Sequence, residues 1–139
     1  MNLSLLTTFV DRLSFEPLDE PEEYSEEFTM DYGNAFASEE DVDTFQVFFQ
    51  MNIGVQKENY RYDSDEEPPM THTLKIRYVA LFKADEVIST EFKESGFPRI
   101  NAPAIAYPFL RSFLGTFLLN AGYKPILLPS FNFVKASRV

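Results

Sequence analysis

The sequence has no cysteine and no tryptophan, a single histidine and only five glycines in 139 residues. Without cysteine there are no disulfides, no thiol chemistry and no thiolate metal sites. The one histidine, His72, has no second His and no evident Asp or Ser partner in the sequence. A catalytic triad or a zinc site cannot be assembled around it, and it is expected at the surface. The scattered glycines form neither G-x-G-x-x-G nor a P-loop. Basic residues are scarce as well: 12 Lys and Arg stand against 22 Asp and Glu, a net charge of −10. Phosphate binding requires clustered cations, so nucleic acid is not an expected partner. No cofactor is expected. The N-terminus, MNLSLLTTFVDR, has neither a basic n-region nor a cleavage site, so no signal peptide is read. Its longest apolar run, 103–119, is shorter than the ~20 residues a span requires and contains Pro108 and Arg111. The expectation is a cytoplasmic protein with no membrane insertion.

What the chain does have is aromatic area: 15 Phe and 7 Tyr. Aromatics serve both cores and binding surfaces. The length fits one domain, residues 1–139. Residues 3–15 alternate, with Leu3, Leu5, Phe9, Leu13 and Phe15 on one face. Thr7 and Asp11 interrupt that face, so a bulge is expected. Residues 16–27 carry two prolines and seven carboxylates and read as a solvated loop. Residues 28–36 alternate again, and Gly33 marks a bend or a close backbone approach. Residues 39–43 are a turn. Residues 44–56 give the longest alternation, a strand with one wet face. Residues 57–70 form a charged loop whose DSDEE lacks the glycine and spacing of a calcium site. A fourth strand covers 73–83, where Val79 and Leu81 offer a landing place for a second layer or subunit. Residues 86–97 read as irregular.

A helix is predicted from about Tyr107 to Ala121, with Pro108 in its first turn and residues 103–106 as a preceding turn. Gly122 sits at the C′ position and Pro125 blocks continuation. This helix is apolar on nearly every side, so it needs two burial partners. Ser112, Gly115, Thr116 and Asn120 make a small, weakly polar stripe suited to a close helix crossing. The residues alone therefore give an acidic α+β protein. Four antiparallel strands carry one long helix from the C-terminal half, with aromatic surface to spare and no enzyme-like constellation.

Several segments resemble the SecB family of export chaperones. They are Tyr107-Pro108-Phe109-Leu110-Arg111, Ala121-Gly122-Tyr123-Lys124-Pro125, Leu128-Pro129-Ser130-Phe131-Asn132-Phe133, and Ser14-Phe15-Glu16. The resemblance implies a four-stranded antiparallel sheet with a long helix on one side and a homo-oligomer, dimer or tetramer, with the helices at the contact. Arg111, Ser112, Gly115, Thr116 and Leu119 would then belong to the interface. It implies an ATP-independent holdase for unfolded or partly folded polypeptides. By matched position the groove residues would be Phe28, Met30, Tyr32 and Phe133, and Phe131 is added from its neighbourhood. The ordinary alternative for these side chains is core. The chain also departs from the family. The long helix that the family has after the Asn-Phe pair is expected to be absent here or reduced to a turn. Of the acidic docking patch for the SecA motor only Glu16 is matched, while Arg12 and Lys75 replace acids, which weighs against SecA docking. A dedicated adaptor for one partner and a small-ligand protein on the same fold are the competing readings.

Overall fold

The computed structural model describes residues 2–22, 29–39, 41–56, 70–126, 128 and 130–136. Four strands, β1 (Leu3–Glu22), β2 (Thr29–Phe36), β3 (Thr44–Val55) and β4 (Met70–Ala84), form one antiparallel sheet in the order β1-β4-β3-β2. Strict alternation in β3 sends Phe45, Val47, Phe49, Met51, Ile53 and Val55 to one face, all buried. Leu74, Ile76, Tyr78, Ala80 and Phe82 of β4 join them. That face is covered by α2 (Ala102–Ala121), which buries Ala106, Tyr107, Leu110, Leu114 and Leu118 at three- and four-residue spacing. Each fully buried leucine of this row contributes about 1.5–3 kcal/mol.

The expected irregularity in the first strand takes the form of two register shifts against β4, between Leu5 and Thr7 and between Val10 and Arg12. Each extra residue inverts the alternation beyond it. Leu3, Leu5, Val10, Leu13 and Phe15 therefore face the core, and Phe9, predicted to do so, is on the outer face at 43% exposure. A second correction concerns residues 16–22, predicted as loop, which continue β1. Proline is tolerated on an edge strand, where half of the N–H groups face away from the neighbouring strand. The rest of the predicted acidic loop, residues 23–27, and residues 57–69 lie outside the described residues, as does Phe28.

Gly33 of β2 is opposite Phe48 of β3, and a Cβ placed on it would come within 2.7 Å of the Phe48 ring. The close approach read from the sequence is therefore a ring lying against bare backbone. In the predicted turn, Asp41 has φ 61°, in the left-handed region.

Residues 86–97, read as irregular, contain a short helix, α1 (Thr90–Glu94), and lead into a π-helical segment over Phe97–Asn101. Ser89 caps α1 by accepting from the Phe92 N–H at 3.0 Å. Phe92 is buried between Phe45 and Phe97. The π segment runs straight into α2, so helical backbone starts well before Tyr107. The first-turn proline of α2 is Pro103, and Pro108 is inside the helix. The whole run Phe97–Ala121 is long and apolar enough, by length and composition alone, to cross a membrane. Here one face of it is packed on the sheet. Gly122 ends α2 in the left-handed conformation at φ 88°, and the N–H groups of Gly122 and Tyr123 return to Leu118 and Leu119 carbonyls.

The single histidine is not a free surface residue. Its ring stacks on Phe15, Thr71 Oγ1 is 2.8 Å from Nδ1, and the Tyr123 hydroxyl is 3.2 Å from Nε2. His72 thereby joins β1, β4 and the turn after α2.

Candidate functional site

The site grows from the segment that follows α2. Asn132 accepts the Lys135 N–H on its side-chain oxygen and the Ala136 N–H on its carbonyl, closing one turn of helix, α3 (Phe133–Ala136). This turn directs Phe133 inward, where only 4% of it is exposed, while Phe131 stays half-buried. Tyr32 reaches them from β2: its ring centroid lies 5.8 Å from that of Phe131 and 5.0 Å from that of Phe133. Phe131 and Phe133 are 4.8 Å apart. Tyr107 of α2 and Phe49 of β3 complete the cluster, 5.8 and 6.3 Å from Phe133. Most of these contacts are tilted or edge-to-face, the arrangements aromatic rings favour.

Above this cluster a shallow groove of about 410 Å³ opens between Ile100 and Ala104 on the helical side and residues 130–134 on the other. Its lining is mainly apolar: Ile100, Ala104, Phe131, Phe133 and Val134, with Ser130 and Asn132. Burial raises the phenol pKa of Tyr32 above its ordinary value of 10.0. Burial also raises that of Tyr107, partly offset by the positive charge of Arg111. Both hydroxyls are therefore neutral at physiological pH, so the rings that back Phe131 and Phe133 bring no charge to the groove.

Of the five residues predicted for peptide binding, the structure brings Tyr32, Phe131 and Phe133 together. Met30 sits one inward position further along β2, opposite Met51, half-buried and outside the groove lining. Phe28 lies outside the described residues. Sequence reasoning missed Tyr107 and Phe49, because each reads as an ordinary core position. It also missed Ile100 and Ala104, because the helix was started too late.

The face of α2 turned away from the sheet carries Ile105, Phe109, Ser112, Thr116 and Leu119, all exposed, with Phe109 at 49% and Leu119 at 60%. Three of the predicted interface residues, Ser112, Thr116 and Leu119, are on it. Gly115 and Arg111 flank it, half-buried, and Arg111 extends to 5.9 Å from the Tyr107 ring. A Cβ on Gly115 would meet nothing within 4 Å, so nothing inside this chain requires glycine there. Beside this face a second depression, about 390 Å³, is lined by Pro108, Arg111, Ser112, Gly115, Pro125, Ile126 and Leu128. Ile105 and Phe109 extend the apolar face beyond what the sequence suggested. Glu16, the weak docking candidate, is exposed on β1 opposite Thr73.

Comparison with known proteins places this geometry. The family described as preprotein translocase subunit SecB matches residues 1–136. The protein-export protein SecB of Magnetococcus marinus is 27% identical over 127 residues, covering 87% of this chain and 73% of that one. The corresponding protein of Neorickettsia sennetsu is 25% identical over 73 residues, 52% of this chain and 43% of its own. Among solved structures, the SecB-like chaperone Rv1957 of Mycobacterium tuberculosis, in complex with a ChAD peptide from the Rv1956 HigA1 antitoxin, superposes with a TM-score of 0.57. That match covers 94% of this chain and 91% of the other at 13% identity, a likeness of fold. With the family matched across almost its whole length, and with the sheet, helix and trailing turn in the corresponding order, the chain belongs to the SecB family.

Proposed function

We propose that this protein is a chaperone of the SecB type, which holds exposed apolar segments of unfolded or partly folded polypeptides without ATP and without catalysis. The observation that carries the reading is the open apolar groove lined by Phe131 and Phe133, whose rings are backed by those of Tyr32 and Tyr107. An extended segment laid in such a groove gains apolar burial with little demand on sequence. Family membership supports the chaperone role and a cytosolic location. The chain works as a single domain and as a homo-oligomer, with the exposed face of α2 buried against its counterpart. The expected result is suppression of aggregation of a chemically denatured substrate at stoichiometric ratio, without nucleotide. Full aggregation at several-fold excess of the protein overturns the reading.

A second reading is a dedicated adaptor for one partner. The fold neighbour Rv1957 was solved with a peptide from a single antitoxin, and that supports it. Crosslinking in cells, followed by identification of the bound chains, separates the two. One stoichiometric partner indicates the adaptor, and a broad set of clients indicates the holdase. In either case Arg12 and Lys75, at positions where the family resemblance expects acids, weigh against docking to SecA.

A further inference from the structure

The sheet face turned away from α2 is not uniform. Its register fixes cross-strand rows. Gly33, Phe48, Val79 and Phe9 form one row, and the next contains Asp31, Gln50, Arg77 and Arg12. The one after contains Thr29, Asn52, Lys75 and Ser14. The first row is apolar, with Val79 covered and Phe9 open to solvent. The following two gather Arg12, Lys75 and Arg77 around a polar depression of about 150 Å³, with Ser14, Gln50 and Asn52 also lining it. Three cations therefore converge on one spot of a chain whose net charge is −10.

Their environments differ. Arg77 is fixed: its Nε is 3.3 Å from Asp11 Oδ2 and its guanidinium lies 4.3 Å over the Phe48 ring. Arg12 and Lys75 are exposed, and neither makes an ion pair with a carboxylate among the described residues. Asp11 balances one of the three charges. Asp31 at the far end of the same row and Glu16 further along β1 also bring carboxylates to this face, but neither lines the depression. The positive charge is therefore local to it and lies beside the exposed Phe9 ring.

We infer that this face docks a short extended segment of a partner protein that carries an apolar side chain followed by two carboxylates at alternate positions. The spacing follows from strand geometry. Val79, Arg77 and Lys75 are successive outer-face positions of β4, about 7 Å apart. An extended peptide presents its alternate side chains at the same interval, so the pattern apolar-x-acid-x-acid matches the rows. Arg12, beside Arg77 in the same row and without an ion pair among the described residues, supplies a guanidinium for one carboxylate, and Lys75 supplies a point charge for the next. The apolar side chain meets Phe9 and Phe48. A nucleic acid strand does not suit the patch, because a local cluster of three cations, on a face that also carries Asp11, Asp31 and Glu16, does not offset the repulsion between its phosphates and the rest of the molecule. The docking face is on the opposite side of the sheet from α2 and its groove, so this inference does not depend on the proposed chaperone activity.

The test uses fluorescence anisotropy of a labelled peptide of pattern F-x-E-x-E with the full-length protein. Its glutamine counterpart, anionic phospholipid vesicles and a single-stranded oligonucleotide serve as comparisons. Expected results are saturable binding of the acidic peptide, at least about tenfold tighter than the glutamine form, that weakens as salt is raised. Arg12→Glu with Lys75→Glu should abolish it without changing the circular dichroism spectrum or the suppression of aggregation. If charge reversal impairs folding, Arg12→Gln with Lys75→Gln gives the same reading by an affinity loss of about tenfold. Equal affinity for the acidic and glutamine peptides overturns the inference. So does binding that survives both pairs of substitutions, or binding of vesicles or oligonucleotide without binding of the peptide.

Discussion

Phe131 and Phe133 are two positions apart in sequence and 4.8 Å apart as rings, yet they should fail in different ways when truncated. Phe133 is almost fully buried and touches four rings: Tyr32, Phe49, Tyr107 and Phe131. Its removal leaves a cavity at the meeting point of β2, β3 and α2. A buried Phe→Ala change costs about 3–5 kcal/mol, a large part of the ~5–15 kcal/mol that holds a domain together. Phe131 shares two of those rings, Tyr32 and Tyr107, and packs on Phe133, but has its open side on the groove, so Phe131→Ala should cost only about 1–2 kcal/mol in lost apolar and ring contact. The chain has no tryptophan, so urea unfolding is best followed by far-UV circular dichroism at a fixed protomer concentration. Client capture is read separately, by light scattering of an aggregating substrate at a temperature where both variants are folded. The expected outcome is a stable Phe131→Ala protein with impaired suppression and a strongly destabilised Phe133→Ala protein. If Phe131→Ala unfolds as readily as Phe133→Ala, Phe131 is core. If it suppresses aggregation as well as the parent protein, the groove is not where clients bind.

Replacing both Phe109 and Leu119 by Glu places charge on the outward face of α2 and should shift the proposed oligomer to monomer in multi-angle light scattering with the circular dichroism spectrum preserved; an unchanged mass refutes that interface. Gly122→Ala forces a β-carbon into the left-handed conformation at φ 88° and should lower unfolding stability by about 1 kcal/mol, whereas no loss would mean that the cap is not held as described. The raised pKa of Tyr32 gives a signed pH dependence. The unfolded phenol loses its proton near pH 10 and the folded one later, so stability falls as pH rises through and above 10, and Tyr32→Phe should flatten that fall. An unaltered alkaline slope assigns the effect to other groups. Gly33→Val should destabilise by about 1–3 kcal/mol by displacing the Phe48 ring from the bare backbone, measured by urea unfolding, and a neutral result would show that the ring moves freely.

The two central strands were legible because both follow the two-residue period without interruption, as in Phe45 to Val55 and Leu74 to Phe82. The irregularity in β1 was legible from Thr7 and Asp11, but its effect on facing was not. An inserted residue swaps faces, and alternation counted straight through it puts Phe9 on the wrong side. The extension of β1 to Glu22 was hidden by prolines and carboxylates that favour a loop everywhere except on a sheet edge. The start of the helix was misplaced because Pro108 looks like a first-turn residue. Pro103 already fills that role, and a π-helical turn ahead of it has no sequence signature comparable to an α-helical period. Of the aromatic site, Tyr32 and Phe133 were singled out through resemblance to a family, and Phe131 from its neighbourhood. Tyr107 and Phe49 required the three-dimensional crossing of a helix over a sheet, which no local pattern announces. His72 looked unpartnered because Phe15 and Tyr123 are far from it in sequence and arrive through β1 and the turn after α2.

Pro108 inside α2 bears directly on how a bound chain could be read. Proline has no N–H to give, so the carbonyl of Ala104, four residues earlier, lacks its usual intrahelical donor. Ala104 also lines the groove. A polypeptide settling there would meet, beside rings that recognise only apolar bulk, a main-chain acceptor suited to any peptide N–H. Such a contact is blind to side-chain identity and sensitive to where the visiting backbone lies. It would fix the position of a guest without selecting its sequence, as the proposed holding of many different unfolded chains requires.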